Sequence, residues 1–359
     1  MFNCNRIFPL AAALAIGVST GCSDSTGPQD FDPITANDAA TELLTTFDDN
    51  PALLAIDILG TAFPNLGSQA PAAAPSAPLS TELPAGVRKD LRILTSVGPF
   101  LNPANPAAIF PADYLGATFV YNTETGQYEV APDSTGAPDS GIRLKLYAVD
   151  PVLRQPIEPL DDIGYLDLTD ESSPSADALG VLAVVQEVTY LEYVASATQT
   201  TGAVTFTADG YLFDGTSQVR FTLSHDWSEA TGATVDYSVW VPEQDPATAI
   251  DLYLNIDPEA ELVTLELSVT HDGETVSMEV IGSDTSISGT VSYNGDVVVT
   301  ISGTPAQPVF TDSAGNALTN QDLQALAALF GSIGIILDAF DNLLVPAYLV
   351  FSVSILAGW

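Results

Sequence analysis

Positive charge is scarce in this sequence. Only 8 of its 359 residues are Lys or Arg, against 46 Asp and Glu, and the formal net charge is -38. A chain so balanced has no basic surface to displace counterions from phosphates, which excludes nucleic acid as a partner. The same charge repels anionic lipid headgroups. Cysteine is nearly missing too: Cys4 and Cys22 are the two in the chain. Nothing beyond residue 22 supplies a thiolate, so the body has no disulfide framework, thiol catalysis or thiolate metal site. With three Trp, at 227, 240 and 359, there is no aromatic-rich stretch for stacking sugars. G-x-S-x-G, HExxH, Cys-x-x-Cys, a Walker loop and G-x-G-x-x-G are all absent.

What is present is apolar. Hydrophobic residues make up 46% of the chain, enough for a sizeable core and too many for an acidic disordered protein. The length suits about two domains of roughly 150 residues each. The few basic residues are clumped as Arg88, Lys89 and Arg92, then Arg143, Lys145 and Arg154, then Arg220, with none after that. Such a surface stays soluble and attracts cations, which points to weak binding of divalent cations as one possible property.

The N-terminus reads as a targeting segment. Arg6 is the one charge before Asp24, and Leu10 to Val18 is an apolar run too short to span a bilayer. Ser19-Thr20-Gly21-Cys22 follows directly. These residues resemble the lipobox of bacterial lipoproteins, with Ser19 where that family usually has Leu. The resemblance covers the first 30 residues or so and implies a signal peptide over 1–21, cleavage before Cys22, and lipid on its sulfur and new amino terminus. Ser23 after the Cys resembles the outer-membrane class, which implies a lipid-anchored protein of the bacterial cell envelope. Polar, turn-rich residues 22–33 suit a tether. Cysteine arithmetic agrees: Cys4 would leave with the signal, and the one remaining Cys would be consumed by lipid.

Residues 34–108 read as short helices, at 36–47 and 51–63, followed by a Pro/Ala/Ser-rich linker. From 109 the pattern changes to period-2 alternation. Ala117–Asn122 and Gln127–Ala131 flank Thr123-Glu124-Thr125-Gly126 as a hairpin. Inward rows follow: Ile142, Leu144, Leu146 and Ala148; Val204, Phe206 and Ala208; Val219, Phe221 and Leu223; Val235, Tyr237, Val239 and Val241. Later come Leu252, Leu254 and Ile256; Val263, Leu265, Leu267 and Val269; Val276, Met278 and Val280; Val291 and Tyr293; Val297, Val299 and Ile301. Asp209-Gly210, Asp214-Gly215, Asp272-Gly273 and Asn294-Gly295 read as the turns. Alternation joined by Asn/Asp-Gly turns predicts an antiparallel sheet with one buried face.

That face needs a cover. Thr319-Asn-Gln-Asp322 has helix-start spacing, and Leu323, Leu326, Phe330, Ile333, Leu337, Phe340 and Leu344 form a stripe beyond it. The expected fold is therefore mainly β with α: a curved antiparallel meander over 109–359, packed on an apolar C-terminal helix at 319–344. Residues 345–359 read as a final strand or packed tail, with a lipid-facing segment as the other possibility.

Candidate chemistry is sparse. His225 and His271 each end an inward row and precede an Asp, so adjacent strands would bring them together as metal ligands or as a base with its orienter. Otherwise they cap strand ends. Asp161-Asp162 and Asp167 to Glu171 offer hard oxygens without calcium-loop spacing, and read as a solvated loop. The expectation is no catalytic, cofactor or metal site, with Cys22 as the lipidated residue and the membrane as partner. The protein reads as a non-catalytic binding or structural module, with a carrier of lipid or another apolar ligand as the alternative.

Overall fold

The computed structural model describes residues 50–62, 109–150, 153, 155–200, 203–228, 231–242, 248–257, 259–320, 322–324, 326–327, 340, 342–347 and 349–351. The expected signal peptide, Cys22, the tether, the 36–47 helix and the Pro/Ala/Ser linker lie outside these residues.

Period-2 alternation becomes strands because it puts every second side chain on one face of the pleat. In chain order these are β1 (Ala117–Asn122), β2 (Gln127–Val130), β3 (Gly141–Tyr147), β4 (Val149–Asp150), β5 (Gln155–Pro156) and β6 (Asp162–Asp170). Next are β7 (Asp177–Val185), β8 (Val188–Thr200), β9 (Ala203–Phe213), β10 (Gln218–Ser228), β11 (Gly232–Trp240) and β12 (Ala249–Asp257). The last are β13 (Leu262–His271), β14 (Glu274–Gly282), β15 (Ile287–Tyr293), β16 (Asp296–Thr304) and β17 (Gln307–Asp312). Fifteen strands form one sheet, in the order β17 down to β6 without interruption, then β3, β1, β2. β4 and β5 make a separate small hairpin. The sheet is antiparallel except where β1 runs parallel to β3, Ala117 opposite Ile142 and Phe119 opposite Leu144. The protein is thus mostly β, with a large antiparallel sheet and few helices.

The described residues fall into two compact units, divided within β10 between Thr222 and Leu223. The first holds Asn50 to Thr222 and the residues from Phe340 onward. It opens with α1 (Pro51–Asp57) and α2 (Leu59–Ala62), inside the stretch read as helical. Asn50 caps α1: its Oδ1 accepts from the N–H groups of Ala52 and Leu53, at 3.0 and 3.3 Å. Its Nδ2 donates to the Phe213 carbonyl at 2.9 Å, tying the helix start to the end of β9. Ala52, Leu53, Ala55 and Ile56 are buried.

The first hairpin forms as expected, Asn122 pairing with Gln127. Strands β6, β7 and β8 were not expected. In β7, Leu179, Val181, Ala183 and Val185 are buried, but so are Gly180 and Val184 on the other face. A strand covered on both sides loses the alternation that marks a strand. Asp209-Gly210 is not a turn but lies within β9. A Cβ on Gly210 would sit 2.2 Å from the Glu192 carbonyl oxygen, so glycine is there to let β8 approach closely.

Residues 342–347, with Pro346 among them, are helical, as are 349–351. This corrects the final-strand expectation for that stretch. Phe340, Leu343, Leu344, Ala347, Val350 and Phe351 are buried. Phe340 meets Phe221 edge-on with ring centroids 5.7 Å apart, and Phe351 meets Phe206 at 5.9 Å. No helix among the described residues is long and apolar enough to cross a membrane, which says nothing of strands.

The second unit is the meander from Leu223 onward. β11 to β14 pair in the register the rows require: Tyr237 opposite Leu252, Leu252 opposite Leu267, Leu267 opposite Met278. Asp272-Gly273 and Asn294-Gly295 make the expected two-residue turns, all four with positive φ, between 49° and 89°. One row departs. Val297 is exposed although Val299 and Ile301 are buried. The register shifts from Val291–Val299 to Ser292–Val297, so Val298 is an extra residue, and beyond this bulge Val297 points to the wet face. Leu254 and Tyr293 are half-buried. At 319 the capping signature is realised: Thr319 N–H and Oγ1 both donate to Asp322 Oδ2, at 3.0 and 2.7 Å, and Asp322 N–H donates back to Oγ1 at 3.3 Å. Much of the expected helix 319–344, including Phe330, Ile333 and Leu337, lies outside the described residues.

Candidate functional site

The two histidines do not share a site. His225 is on β10 and His271 on β13, with β11 and β12 between them. Three interstrand steps of about 4.8 Å separate their strands by roughly 14 Å, too far for a common metal or a base–orienter pair. His225 is 1% exposed, and its Nε2 lies 2.9 Å from the Tyr237 hydroxyl, the two rings meeting edge-on. Burial pushes its pKa down to about 3, against the nearby Asp226 carboxylate, which favours the charged form. The ring is therefore neutral at ordinary pH. His271 is half-buried: Nδ1 is 2.8 Å from the Thr248 hydroxyl and Nε2 is 3.6 Å from Asp272 Oδ1. No group of three or more His, Cys, Asp or Glu that could hold a metal occurs among the described residues.

The acidic stretch read as a solvated loop is largely strand β6. Pairing of β3 with β6 sets Arg143 opposite Asp167. Arg143 Nε and Nη2 donate to the two carboxylate oxygens of Asp167 at 2.6 and 2.7 Å. This forked geometry is among the strongest an ion pair adopts. The guanidinium also lies over the Tyr165 ring, 3.6 Å from its centroid. The Asp167 hydrogen bonds raise the Arg143 pKa above its ordinary value, with burial opposing. Lys145 Nζ donates to Asp162 Oδ2 at 2.8 Å. A Cβ on Gly136 would come within 2.9 Å of Arg143 Nη1, so this glycine, at φ +100°, lets its loop close over the pair. Thr118 Oγ1 is buried without a hydrogen-bond partner, opposite Arg143 on β1. Asp170 acts locally, accepting from the N–H groups of Ser172 at 2.9 Å and Ile109 at 3.4 Å.

Sequence reasoning noticed the basic clump and the acidic clump separately. It missed that they neutralise each other. The signal was available: Arg143 and Lys145 are two apart on one strand face, and β6 offers acids on the facing strand.

A third polar feature lies inside the first unit. Tyr193 on β8 is 2% exposed, and its hydroxyl donates to the Leu343 carbonyl at 3.1 Å. The Ala347 N–H donates to the same oxygen, which opposes a large upward push from burial. Leu343 and Ala347 are four apart, the spacing of a helical hydrogen bond. The hydroxyl is thus inserted into that link, one residue from Pro346, and satisfies both of its groups.

The second unit shows the opposite electrostatics on its wet face. Glu266 stands directly opposite Glu279. Asp236 has its pKa raised, first by burial and then by Asp251. Ser238 Oγ donates to Asp251 Oδ1. No Lys or Arg occurs anywhere from Leu223 to Asp338.

These arrangements hold structure: a capped helix, a forked ion pair, a hydroxyl in a helix ladder, and a neutral imidazole on a phenol. None sets a nucleophile beside a base at an open surface. Comparison of the chain with protein-family models, with curated proteins and with solved structures finds no match to any of them.

Proposed function

We propose that the chain is a lipid-anchored protein of the bacterial cell envelope whose β body is a non-catalytic binding or structural module. The lipobox-like Ser19 to Cys22 and the lack of any later Cys support the anchor. In this reading the sheet is a curved meander closed over its own apolar C-terminal helix. The observation that carries the module reading is the filling of the first unit. Phe340, Leu343 and Phe351 lie against Phe221, Tyr193 and Phe206, and the Tyr193 hydroxyl finds its partners on that same segment. A sheet face covered by its own chain leaves that space to no lipid, which weighs against the carrier alternative.

Two measurements test it. Intact mass of the protein from its native envelope should show a terminus at Cys22 carrying acyl chains. An unprocessed Met1 terminus with a free Cys22 thiol would refute the anchor. Organic extraction of the purified protein followed by mass spectrometry should yield no stoichiometric lipid. A co-purified lipid at one per chain would replace the module reading with the carrier one.

A further inference from the structure

One hairpin stands apart from the sheet. β4 and β5 pair only with each other, Val149 opposite Pro156 and Asp150 opposite Gln155. The stem is tied to its surroundings by Ile157 N–H to the Ala148 carbonyl at 2.8 Å and Ala148 N–H to the Asp161 carbonyl at 2.9 Å. The loop is set by Asp150, whose Oδ1 accepts from Leu153 N–H at 2.9 Å. This arrangement holds Leu153 out at 67% exposure, the highest of any large apolar side chain among the described residues, with Ile157 at 46%. Water solvates such side chains poorly, yet the loop's own hydrogen bond keeps the tip presented.

We propose that this hairpin is a second, apolar contact with the bilayer, placing Leu153 and Ile157 in the interface of a zwitterionic phospholipid membrane and fixing which way the body faces. The proposal rests on the lipid-anchor reading above. The size of the patch selects lipid over protein. Two side chains fall far short of the roughly 800 Å² per partner of a stable protein interface. A lipid interface accepts a tip of any shape. Burying the pair favours the inserted state by about a hundredfold, too little to hold a free protein on a membrane. For a body already tethered at the surface the contact becomes intramolecular, at an effective concentration of order millimolar, and a small gain suffices to set orientation. Zwitterionic lipid follows from the net charge of -38, which anionic headgroups repel.

The test supplies the tether chemically. The chain from Cys22 to Trp359 is coupled through its single thiol to maleimide lipid in phosphatidylcholine vesicles, whether or not cells acylate that residue. Hydrogen exchange of peptides spanning 149–158 is compared on vesicles and free in solution. Exchange should slow about tenfold on the vesicles, and return to the solution rate in the Leu153→Asp/Ile157→Asp double variant, with other peptides of the first unit unchanged. If the double variant fails to fold, Leu153→Ser alone should give an intermediate slowing. Equal rates on vesicles and in solution overturn the contact. Slowing without vesicles that grows with protein concentration assigns the hairpin to a second copy and overturns it as well. The mass of Cys22 from native cells is read separately, so failure of the anchor and failure of the hairpin contact are distinguishable.

Discussion

The two units solve the problem of an acidic chain in opposite ways. The first spends its scarce cations where they are half-buried: Arg143 on Asp167 and Lys145 on Asp162, across one strand pair. The second has no cation from Leu223 to Asp338, and sets Glu266 opposite Glu279 with nothing of opposite charge to separate them. Its buried polar groups are neutral ones, the His225 imidazole against the Tyr237 hydroxyl and Thr248 against His271. One unit is held partly by fixed charge; the other depends on an apolar row and on mobile counterions in the solvent. The lesson is that net charge says little about local electrostatics.

Acidification should separate the units most. His225 has a depressed pKa, about 3 when folded against 6.5 when exposed, so the unfolded chain binds the proton first. The stability it confers is complete above about pH 6.5 and is lost as pH falls toward 3, by about 4 kcal/mol at the limit. Asp236, raised by burial and by Asp251, works the other way, since its folded carboxyl gains from protonation. Urea unfolding followed by the fluorescence of Trp227 and Trp240 should show the loss, and His225→Leu should flatten it. An unchanged pH slope in that variant would remove His225 from the account.

Breaking the ion pair comes next. Asp167→Ala leaves Arg143 half-buried without its carboxylate and should cost about 3 kcal/mol. The double variant Arg143→Met/Asp167→Leu should recover most of it, as a double-mutant cycle in urea would show. Tyr193→Phe should cost about 2 kcal/mol in the first unit, because it removes one oxygen that serves two backbone groups. Rising salt should sharpen the contrast. Between about 10 mM and 1 M NaCl the second unit should gain roughly 1–2 kcal/mol through screening, while the first changes little. The smallest effect is local: Glu279→Lys turns the like-charged pair with Glu266 into an opposite one, and should stabilise by under about 1 kcal/mol.

Most of the second unit was legible in the sequence, because one face of each strand is dry and the other wet. The row from Val263 to Val269 reads directly as buried positions, and the two-residue turns follow from residues that accept positive φ. What failed has physical causes. Val297 was misplaced because a bulge inserts one residue and reverses the alternation beyond it. β7 was missed because it is covered on both faces. β6 was missed because its acids looked like loop residues, and only the pairing with β3 reveals that they have partners. The parallel pairing of β1 with β3 is a register choice that no local pattern encodes. The separation of His225 from His271 was legible only as a question, since strand order decides it.

The inserted hydroxyl of Tyr193 carries a consequence for biogenesis. Strands β6 to β17 each pair with the next in line, so loop closure is short and the sheet can zip up in the order of synthesis. Tyr193 and Leu343 are 150 positions apart. The earlier-made unit therefore keeps its aromatic interior uncovered until the last residues leave the ribosome, and a nascent chain stalled before residue 340 would carry that sticky surface into the hands of chaperones.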